Sequence, residues 1–183
     1  MLKTIAGFIA GIGLSGVLAW QVGGSLMFKE TPSPFGMEET VARIQQNIQN
    51  TGNGWALSGL RNPAKAVQND GGNVLPVLMV EACSTKYSGP ILKSDDHRFL
   101  SILMPCKVTV YKKNDGKVYI GTMNAGLMGH LFGPMVGEIM AKVAEDQKKF
   151  LTFDASKPAP KMIEGMPGAG GGGGSGAATG GGC

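Results

Sequence analysis

The chain has 183 residues, of which 43% are hydrophobic, and its formal charge is +4. This length allows one ordinary domain with a hydrophobic core plus appendages. The 17 basic residues only slightly outnumber the 13 acidic ones and are scattered along the chain. The basic stripe typical of nucleic-acid-binding proteins is missing from the sequence, so nucleic acid is excluded as a partner.

Residues 4–20 form an uncharged apolar run that follows Lys3. The run is long enough for a helix that crosses a hydrocarbon core of ~30 Å, and the preceding charge favours a cytoplasmic N-terminus. Residues 1–24 are therefore predicted to be a transmembrane anchor, with the domain in the periplasm or at the cell exterior. The alternatives are a cleaved signal peptide, which would also export the domain, and a buried core helix.

The domain is predicted to span residues 25–153, and its first long element is a helix over residues 36–51. Val41, Ile44 and Ile48 recur at helical spacing among polar residues. This pattern indicates an amphipathic helix with one face against a core.

A β-hairpin is predicted from a strand over residues 99–112 and a partner strand over residues 117–123. Apolar and polar residues alternate along the first strand, and an Asp115-Gly116 pair in the connection favours a tight turn. A long helix over residues 127–151 closes the domain, because its apolar residues form one stripe.

The other predicted elements complete an α+β fold. They are strands at 25–30, 55–60 and 74–83, a loop at 62–73 with room for one helical turn, an excursion at 84–97 with a short helix after Pro90, and a flexible Gly- and Pro-rich tail at 154–183. The order β-α-β4-α predicts an antiparallel sheet with two helices on one face.

Three segments together resemble a known family. The helix FGMEETVARIQQNIQNTG, the run VLPVLMVEAC and the hairpin LMPCKVTVYKKNDGKVYIGTMN, in this order, are similar to family 302 of domains of unknown function. The resemblance covers about residues 25–152. It implies a TATA-binding-protein-like fold and a tendency to dimerise. It does not point to a particular activity. The pairing of Cys83 with Met104-Pro105-Cys106 resembles a membrane-anchored branch of the family.

Sulfur-containing side chains are the strongest functional signal in the chain. Cys83 ends one predicted strand, Cys106 lies in the next, and Met104 shares a strand face with Cys106. Met123 lies on a neighbouring strand, and His130 opens the last helix. Thiolate and thioether ligands select Cu(I), and can also ligate haem iron, so these five residues are the candidate ligands for copper or haem.

Other roles for the two cysteines remain open in the sequence. An exported domain favours a structural Cys83–Cys106 disulfide with Cys183 left over. Buried free thiols and a redox or sulfur-carrying thiol pair are further alternatives. His97 fits a surface loop, and His130 fits a helix cap as well as a ligand.

The sequence contains no motif of a known reaction class, so it does not establish an enzyme. The main functional hypothesis is a membrane-anchored extracytoplasmic domain that binds a soft metal or haem, in electron transfer, metal handling or sulfur metabolism, with a membrane or redox protein as partner. The alternative is a non-catalytic dimeric interaction module that carries the Cys83–Cys106 disulfide.

Overall fold

The computed structural model of the chain describes residues 24–164, and these residues form a mixed α+β fold. The strands are β1 (Phe28–Pro32), β2 (Trp55–Arg61), β3 (Val77–Ser84), β4 (Cys106–Lys112) and β5 (Val118–Met123). The helices are α1 (Met37–Asn50), α2 (Pro63–Asn69), α3 (Thr85–Lys93), a 3₁₀ helix (Arg98–Leu103), α4 (Ala125–His130) and α5 (Pro134–Phe150). Five antiparallel strands and two long helices confirm the predicted α+β class.

The sheet has the strand order β1-β5-β4-β3-β2, and all neighbouring strands are antiparallel. Strand β4 is therefore central, and β1 and β2 form the edges. Cys106, the first residue of β4, pairs with Ala82 of β3. Met123, the last residue of β5, pairs with Phe28 of β1. Cys106 and Met123 thus lie at the same end of two adjacent strands.

The main core lies between one face of the sheet and the two long helices. Val41, Ile44 and Ile48 of α1 are fully buried, and they pack with Val108 and other inward-facing strand residues. The helical spacing of these three side chains puts them on one face of α1, which confirms the amphipathic helix predicted from the sequence.

The predicted hairpin between β4 and β5 is confirmed. The amide of Lys113 donates to the carbonyl of Lys117 at 3.1 Å, and the amide of Gly116 donates to the carbonyl of Lys113 at 3.0 Å. Gly116 has a φ of 76°. Glycine adopts such a positive φ at little energetic cost because it has no Cβ. The Asp-Gly pair therefore identified this turn correctly.

The predicted strand over residues 99–112 is wrong in its first half. Residues Arg98–Leu103 form a 3₁₀ helix, the Met104–Pro105 peptide bond is cis, and the strand begins only at Cys106. Pro105 has no amide hydrogen to donate to a sheet ladder. The sheet pairing of β4 accordingly starts directly after it.

The single helix predicted over residues 127–151 is two helices, α4 and α5. Gly133 between them has a φ of 88°, which a right-handed helix does not contain. Pro134 then occupies the first turn of α5, where a missing amide hydrogen costs nothing. The break allows α4 to pack against α5, with Gly129 directly opposite Met140.

Three smaller differences concern connections. The first strand starts at Phe28 after helical residues 24–27, and the loop predicted at 62–73 contains α2. Helix α3 begins before Pro90 and not after it, because the Ser84 hydroxyl caps its start by accepting from the Tyr87 amide at 3.4 Å.

The first part of the predicted tail belongs to the folded domain. Arg43 of α1 donates to the carbonyls of Asp154 and Lys157, both at 2.9 Å. The Gln45 amide exchanges two hydrogen bonds with the backbone of Ile163, at 2.9 and 3.1 Å. Residues 154–163 are thus fastened along α1, which corrects the prediction of a flexible tail for this stretch.

The predicted anchor and the glycine-rich run after residue 164 lie outside the described residues. Within residues 24–164, no helix combines the length and the apolar character that crossing a membrane requires.

Candidate functional site

A small cavity lined with sulfur-containing side chains lies at the end of β4 and β5. Its volume is about 50 Å³. The sulfur-containing residues in its wall are Cys83, Met104, Cys106, Met123, Met128 and Met140. Four of the five ligands predicted from the sequence therefore line one cavity.

The sheet register explains how Met104, Cys106 and Met123 come together. Cys106 starts the central strand and Met123 ends its neighbour β5, so both lie at one edge of the sheet. Met104 precedes Cys106 by two residues and links it to the 3₁₀ helix. These three positions follow from strand pairing, which the hairpin pattern of the sequence made predictable.

Met128 and Met140 reach the cavity from the helical hairpin of α4 and α5. The two helices approach closely at Gly129, where an added Cβ would lie 2.4 Å from the Cβ of Met140. Met140 is not among the ligands predicted from the sequence, since methionine at helical spacing usually fills space in a core. No local pattern distinguishes Met140 from other helical methionines. Its place in the cavity wall depends on the break at Gly133, which lets α4 pack against α5.

The structure does not bring His130 into the cavity wall. His130 ends α4, is exposed, and lies near Gly137 of the facing helix. His97 is also remote from the cavity, and its Nδ1 lies 2.8 Å from the Ser94 hydroxyl. The prediction that His130 joins the site is therefore not supported by its position.

The Cys83–Cys106 disulfide, one of the alternatives that the sequence left open, is not present in the structure. Cys106 is a free thiol, and Cys83 takes part in a different disulfide. In the register of the sheet, Cys106 is paired with Ala82, while Cys83 is paired with Ala56 of β2. Cys83 and Cys106 are therefore not directly opposite each other in the sheet, although both line the cavity.

Burial in apolar surroundings determines the protonation of the Cys106 thiol. It raises the pKa of Cys106 to about 11, although the charge of Lys107 acts in the opposite direction. Leu100, Leu103 and Phe132 are among the apolar neighbours that form the cavity wall. Cys106 is consequently a neutral thiol near pH 7, and only a species that displaces the proton makes it a thiolate.

The cavity lies between the main core and a smaller apolar cluster. Ile91 of α3, Leu100 of the 3₁₀ helix and Val136 of α5 are the buried members of this smaller cluster. They line the cavity on one side, and Trp55 and Val143 of the main core line it on the other. We call the three elements α3, the 3₁₀ helix and α4 the cap. The cavity is thus the junction of cap and core.

A buried carboxylate holds two of the wall residues in place. Asp146 of α5 accepts hydrogen bonds from Trp55 Nε1 and from the Tyr87 hydroxyl, both at 2.9 Å. It also accepts from Asn53 Nδ2 at 3.0 Å and from Lys149 Nζ at 2.6 Å. The apolar stripe predicted for the last helix gives no sign of this cluster, because a carboxylate at helical spacing usually faces water.

The hydrogen bonds also determine the charge state of Asp146. Burial by itself raises the pKa of this carboxyl, but the hydrogen bonds from Lys149, Trp55, Asn53 and Tyr87 together outweigh burial and lower it. Asp146 is therefore ionised near pH 7 although its side chain is only 2% exposed.

Oxygen and nitrogen ligands are not clustered in the part of the chain that the structure describes. Among residues 24–164, no group of three or more His, Cys, Asp or Glu side chains is arranged to hold a metal ion. The cavity instead combines one free thiol with four thioethers.

A sequence family and a solved structure match this chain. The family described as "Domain of unknown function DUF302" matches residues 29–152. A crystal structure of an uncharacterized conserved DUF302 protein from Bacillus stearothermophilus is 21% identical, with a TM-score of 0.60. The match covers 68% of this chain and 95% of that one. No curated protein matches.

The family match covers well over half of the chain and includes all five strands, α1, α5 and the sulfur-lined cavity. The likeness to the Bacillus protein, at its low identity, supports the fold alone. The chain is a member of the DUF302 family.

Proposed function

We propose that this domain binds a single Cu(I) ion in the sulfur-lined cavity. The ligands are the thiolate of Cys106 and thioethers drawn from Met104, Met123, Met128 and Met140. The observation that carries the proposal is that one free thiol and four methionines from four separate segments line one small cavity. Soft sulfur ligands of this kind select Cu(I) over harder ions.

The charge balance of the cavity favours a monovalent ion. When Cu(I) replaces the thiol proton of Cys106, the ion and the thiolate sum to zero charge, and thioethers add none. A divalent ion such as Zn²⁺ would leave a net positive charge among apolar side chains, which costs free energy without a paired anion. The high pKa of Cys106 further demands a metal with strong affinity for sulfur.

The size of the cavity supports an ion in preference to haem. Its volume of about 50 Å³ exceeds the space of about 10–15 Å³ that one water-sized probe requires. Pockets for organic ligands usually measure about 300–1,000 Å³. Of the two cofactors suggested by the sequence, copper fits the cavity as it stands.

Other parts of the functional hypothesis rest on the sequence alone. The apolar run at residues 4–20 supports a transmembrane anchor and a domain outside the cytoplasmic membrane. Copper handling or electron transfer with a membrane or redox partner fits that location. Dimerisation, a link to sulfur metabolism and the finer TATA-binding-protein-like fold class remain proposals based on the family resemblance.

A Cu(I) titration tests the proposed site. The full-length protein is titrated anaerobically against a chromophoric Cu(I) chelator, with ascorbate as reductant so that disulfides stay intact. We expect one equivalent of Cu(I) to bind, with ultraviolet absorption from copper–sulfur charge transfer. Cys106→Ser should lose more than about 100-fold in affinity, because loss of outer-shell partners alone typically costs about 10–100-fold.

Matched methionine variants identify the thioethers. Met123→Leu preserves side-chain volume but removes a cavity sulfur, so we expect weaker Cu(I) binding. Met37→Leu is the control, since Met37 packs against the main core and not around the cavity. Equal affinity in wild type, Cys106→Ser and Met123→Leu would overturn the proposal, as would Zn²⁺ binding at the same site with comparable strength.

A further inference from the structure

Large apolar side chains are exposed together at one end of the domain. Six of them lie on the helical residues 24–27, β1, the 3₁₀ helix, α4 and the residue after α4. They are Leu26, Phe28, Phe99, Ile102, Leu127 and Leu131. We call this set the apolar end.

Hydrogen bonds join residues 26–27 to Asn124 at the start of α4, although these segments are distant in sequence. The Asn124 amide donates to the Met27 carbonyl at 2.7 Å, and Asn124 Nδ2 donates to the Leu26 carbonyl at 2.9 Å. Helix α4 begins at the next residue, Ala125, and carries Leu127. The segment where the chain enters the domain is therefore fastened to the start of α4.

An aromatic contact and a shared surface recess connect the 3₁₀ helix to the rest of the apolar end. The ring centroids of Phe99 and Phe132 lie 6.4 Å apart in an edge-to-face arrangement, and Phe132 directly follows Leu131. Phe28 and Ile102 line a common recess on the sheet side. These contacts bring residues 26–28, the 3₁₀ helix and the end of α4 together at one end of the domain.

The exposure of these side chains is high. Ile102 is 83% exposed, Phe28 65%, Phe99 63% and Leu131 62%. Contiguous apolar surface of this kind usually marks a site that meets a partner or a membrane.

The position of the surface in the chain indicates which occupant it has. The uncharged apolar run ends at Trp20, and only five residues separate it from Leu26. Five residues span at most about 18 Å when fully extended. If residues 4–20 cross the bilayer, the apolar end is held at the bilayer surface.

We propose that the apolar end of the folded domain docks onto the lipid bilayer, with its apolar side chains in the interfacial region. The cap supplies Phe99, Ile102 and Leu127 of this surface as well as one wall of the cavity, so docking places the cavity beside the membrane. This inference does not depend on copper binding.

Site-specific fluorescence quenching tests the docking. The full-length chain is reconstituted at one copy per lipid nanodisc, with lipids brominated near the headgroup. An indole is introduced by Ile102→Trp or Leu131→Trp, and its emission is compared with that of the parent protein. We expect a blue shift and loss of most of the added emission, because bromine quenches only nearby indoles.

Val67→Trp provides the matched control. Val67 is also an exposed apolar residue, at 44%, but it lies on α2 outside the apolar end. Its added emission should be unaffected by brominated lipid. Circular dichroism verifies the fold of each variant.

Three outcomes overturn the proposal. The first is equal quenching, or no quenching, at positions 102, 131 and 67. The second is a chain that does not enter the discs. The third is a blue shift at positions 102 and 131 that appears only in discs with two copies, which identifies a second copy as the occupant.

Discussion

Cys106 combines a reactive atom with surroundings that suppress its reactivity. Its thiol is free, but burial raises its pKa to about 11. A thiol with this pKa is a poor nucleophile near neutral pH. The local environment therefore disfavours a role for Cys106 as a catalytic nucleophile.

The raised pKa of Cys106 predicts a loss of stability at alkaline pH. An unfolded cysteine ionises near pH 8.5, whereas the folded thiol holds its proton until about pH 11. The stabilisation is therefore complete below about pH 8.5 and is lost as the pH rises through the folded pKa. At about 1.4 kcal/mol per pKa unit, we expect the free energy of unfolding to fall by up to about 3 kcal/mol.

Urea denaturation of wild type and Cys106→Ser between pH 7 and 11 measures this effect. Tyr111, whose pKa burial raises to about 12, contributes to both proteins, so only the difference between them reports Cys106. The wild type should lose more free energy of unfolding than the variant. Parallel pH profiles would contradict the assignment.

At the level of single residues, the sequence grouped four of the six sulfur-containing side chains that line the cavity. Met104, Cys106 and Met123 were predictable because strand alternation and a hairpin determine their relative positions. The bonding state of the two cysteines was not predictable, since it depends on contacts between segments distant in sequence. His130 failed for a similar reason, because its direction depends on how α4 packs against α5.

The helical hairpin of α4 and α5 is the element on which the cavity depends most. Gly129 lets the two helices touch, with an added Cβ 2.4 Å from the Cβ of Met140 and 3.3 Å from the Cα of Gly137. Neither neighbour can rotate away, because both atoms are fixed to the backbone. A side chain at this position must separate the helices.

Alanine at Gly129 should therefore destabilise the domain. We expect Gly129→Ala to lower the free energy of unfolding by about 1–3 kcal/mol, the usual cost of overpacking. Gly126→Ala on the same helix is the control, since its Cβ would lie 3.7 Å from Ala144 in ordinary contact. Its higher helix propensity should make it neutral or slightly stabilising.

Chemical denaturation of both glycine variants gives the comparison. If Gly129→Ala proves as stable as Gly126→Ala, the close approach of the two helices is not required. Agreement with the expected order would confirm that the cavity wall is built by small residues in the hairpin.

At the level of elements, prediction succeeded where a pattern was uninterrupted. Helix α1 and the β4–β5 hairpin agree with their periodicity and turn residues. Prediction failed at Pro105 and at Gly133-Pro134, where the apolar pattern continues across a backbone break. Periodicity indicates which face of a segment is apolar, but it does not show where the backbone breaks, and Leu131 beside the break is exposed.

Across the whole molecule, Asp146 links segments that are far apart in sequence. It joins α5 to Trp55 at the start of β2 and to Tyr87 of α3. Removing its carboxylate leaves both donors buried without an acceptor. We expect Asp146→Ala to cost about 2–5 kcal/mol of stability, as for other broken networks of buried charged groups.

A neighbouring acid supplies the control for this prediction. Glu145 forms an exposed ion pair with Lys148, so Glu145→Gln should change stability by only about 0–1 kcal/mol. Thermal and urea unfolding of the two variants would distinguish them. A loss from Asp146→Ala as small as that from Glu145→Gln would contradict the linking role.

The lowered pKa of Asp146 also predicts a specific acid sensitivity. An unfolded aspartate ionises near pH 3.9, and the folded carboxylate stays ionised to a lower pH. Its stabilisation is present above about pH 3.9 and is lost as the pH falls through the folded pKa. Asn at position 146 cannot ionise. In urea denaturation at acid pH, the free energy of unfolding of Asp146→Asn should therefore depend less on pH than that of wild type.

The sequence by itself determined the α+β class, the amphipathic helix α1, the β4–β5 hairpin and the sulfur residues at the sheet edge. These features depend on local periodicity and turn chemistry, which neighbouring residues encode. Only the tertiary structure decided the free thiol of Cys106, the cavity shared with Met128 and Met140, the buried Asp146 and the attachment of residues 154–163. Each of these depends on contacts between segments distant in sequence, which no local pattern specifies.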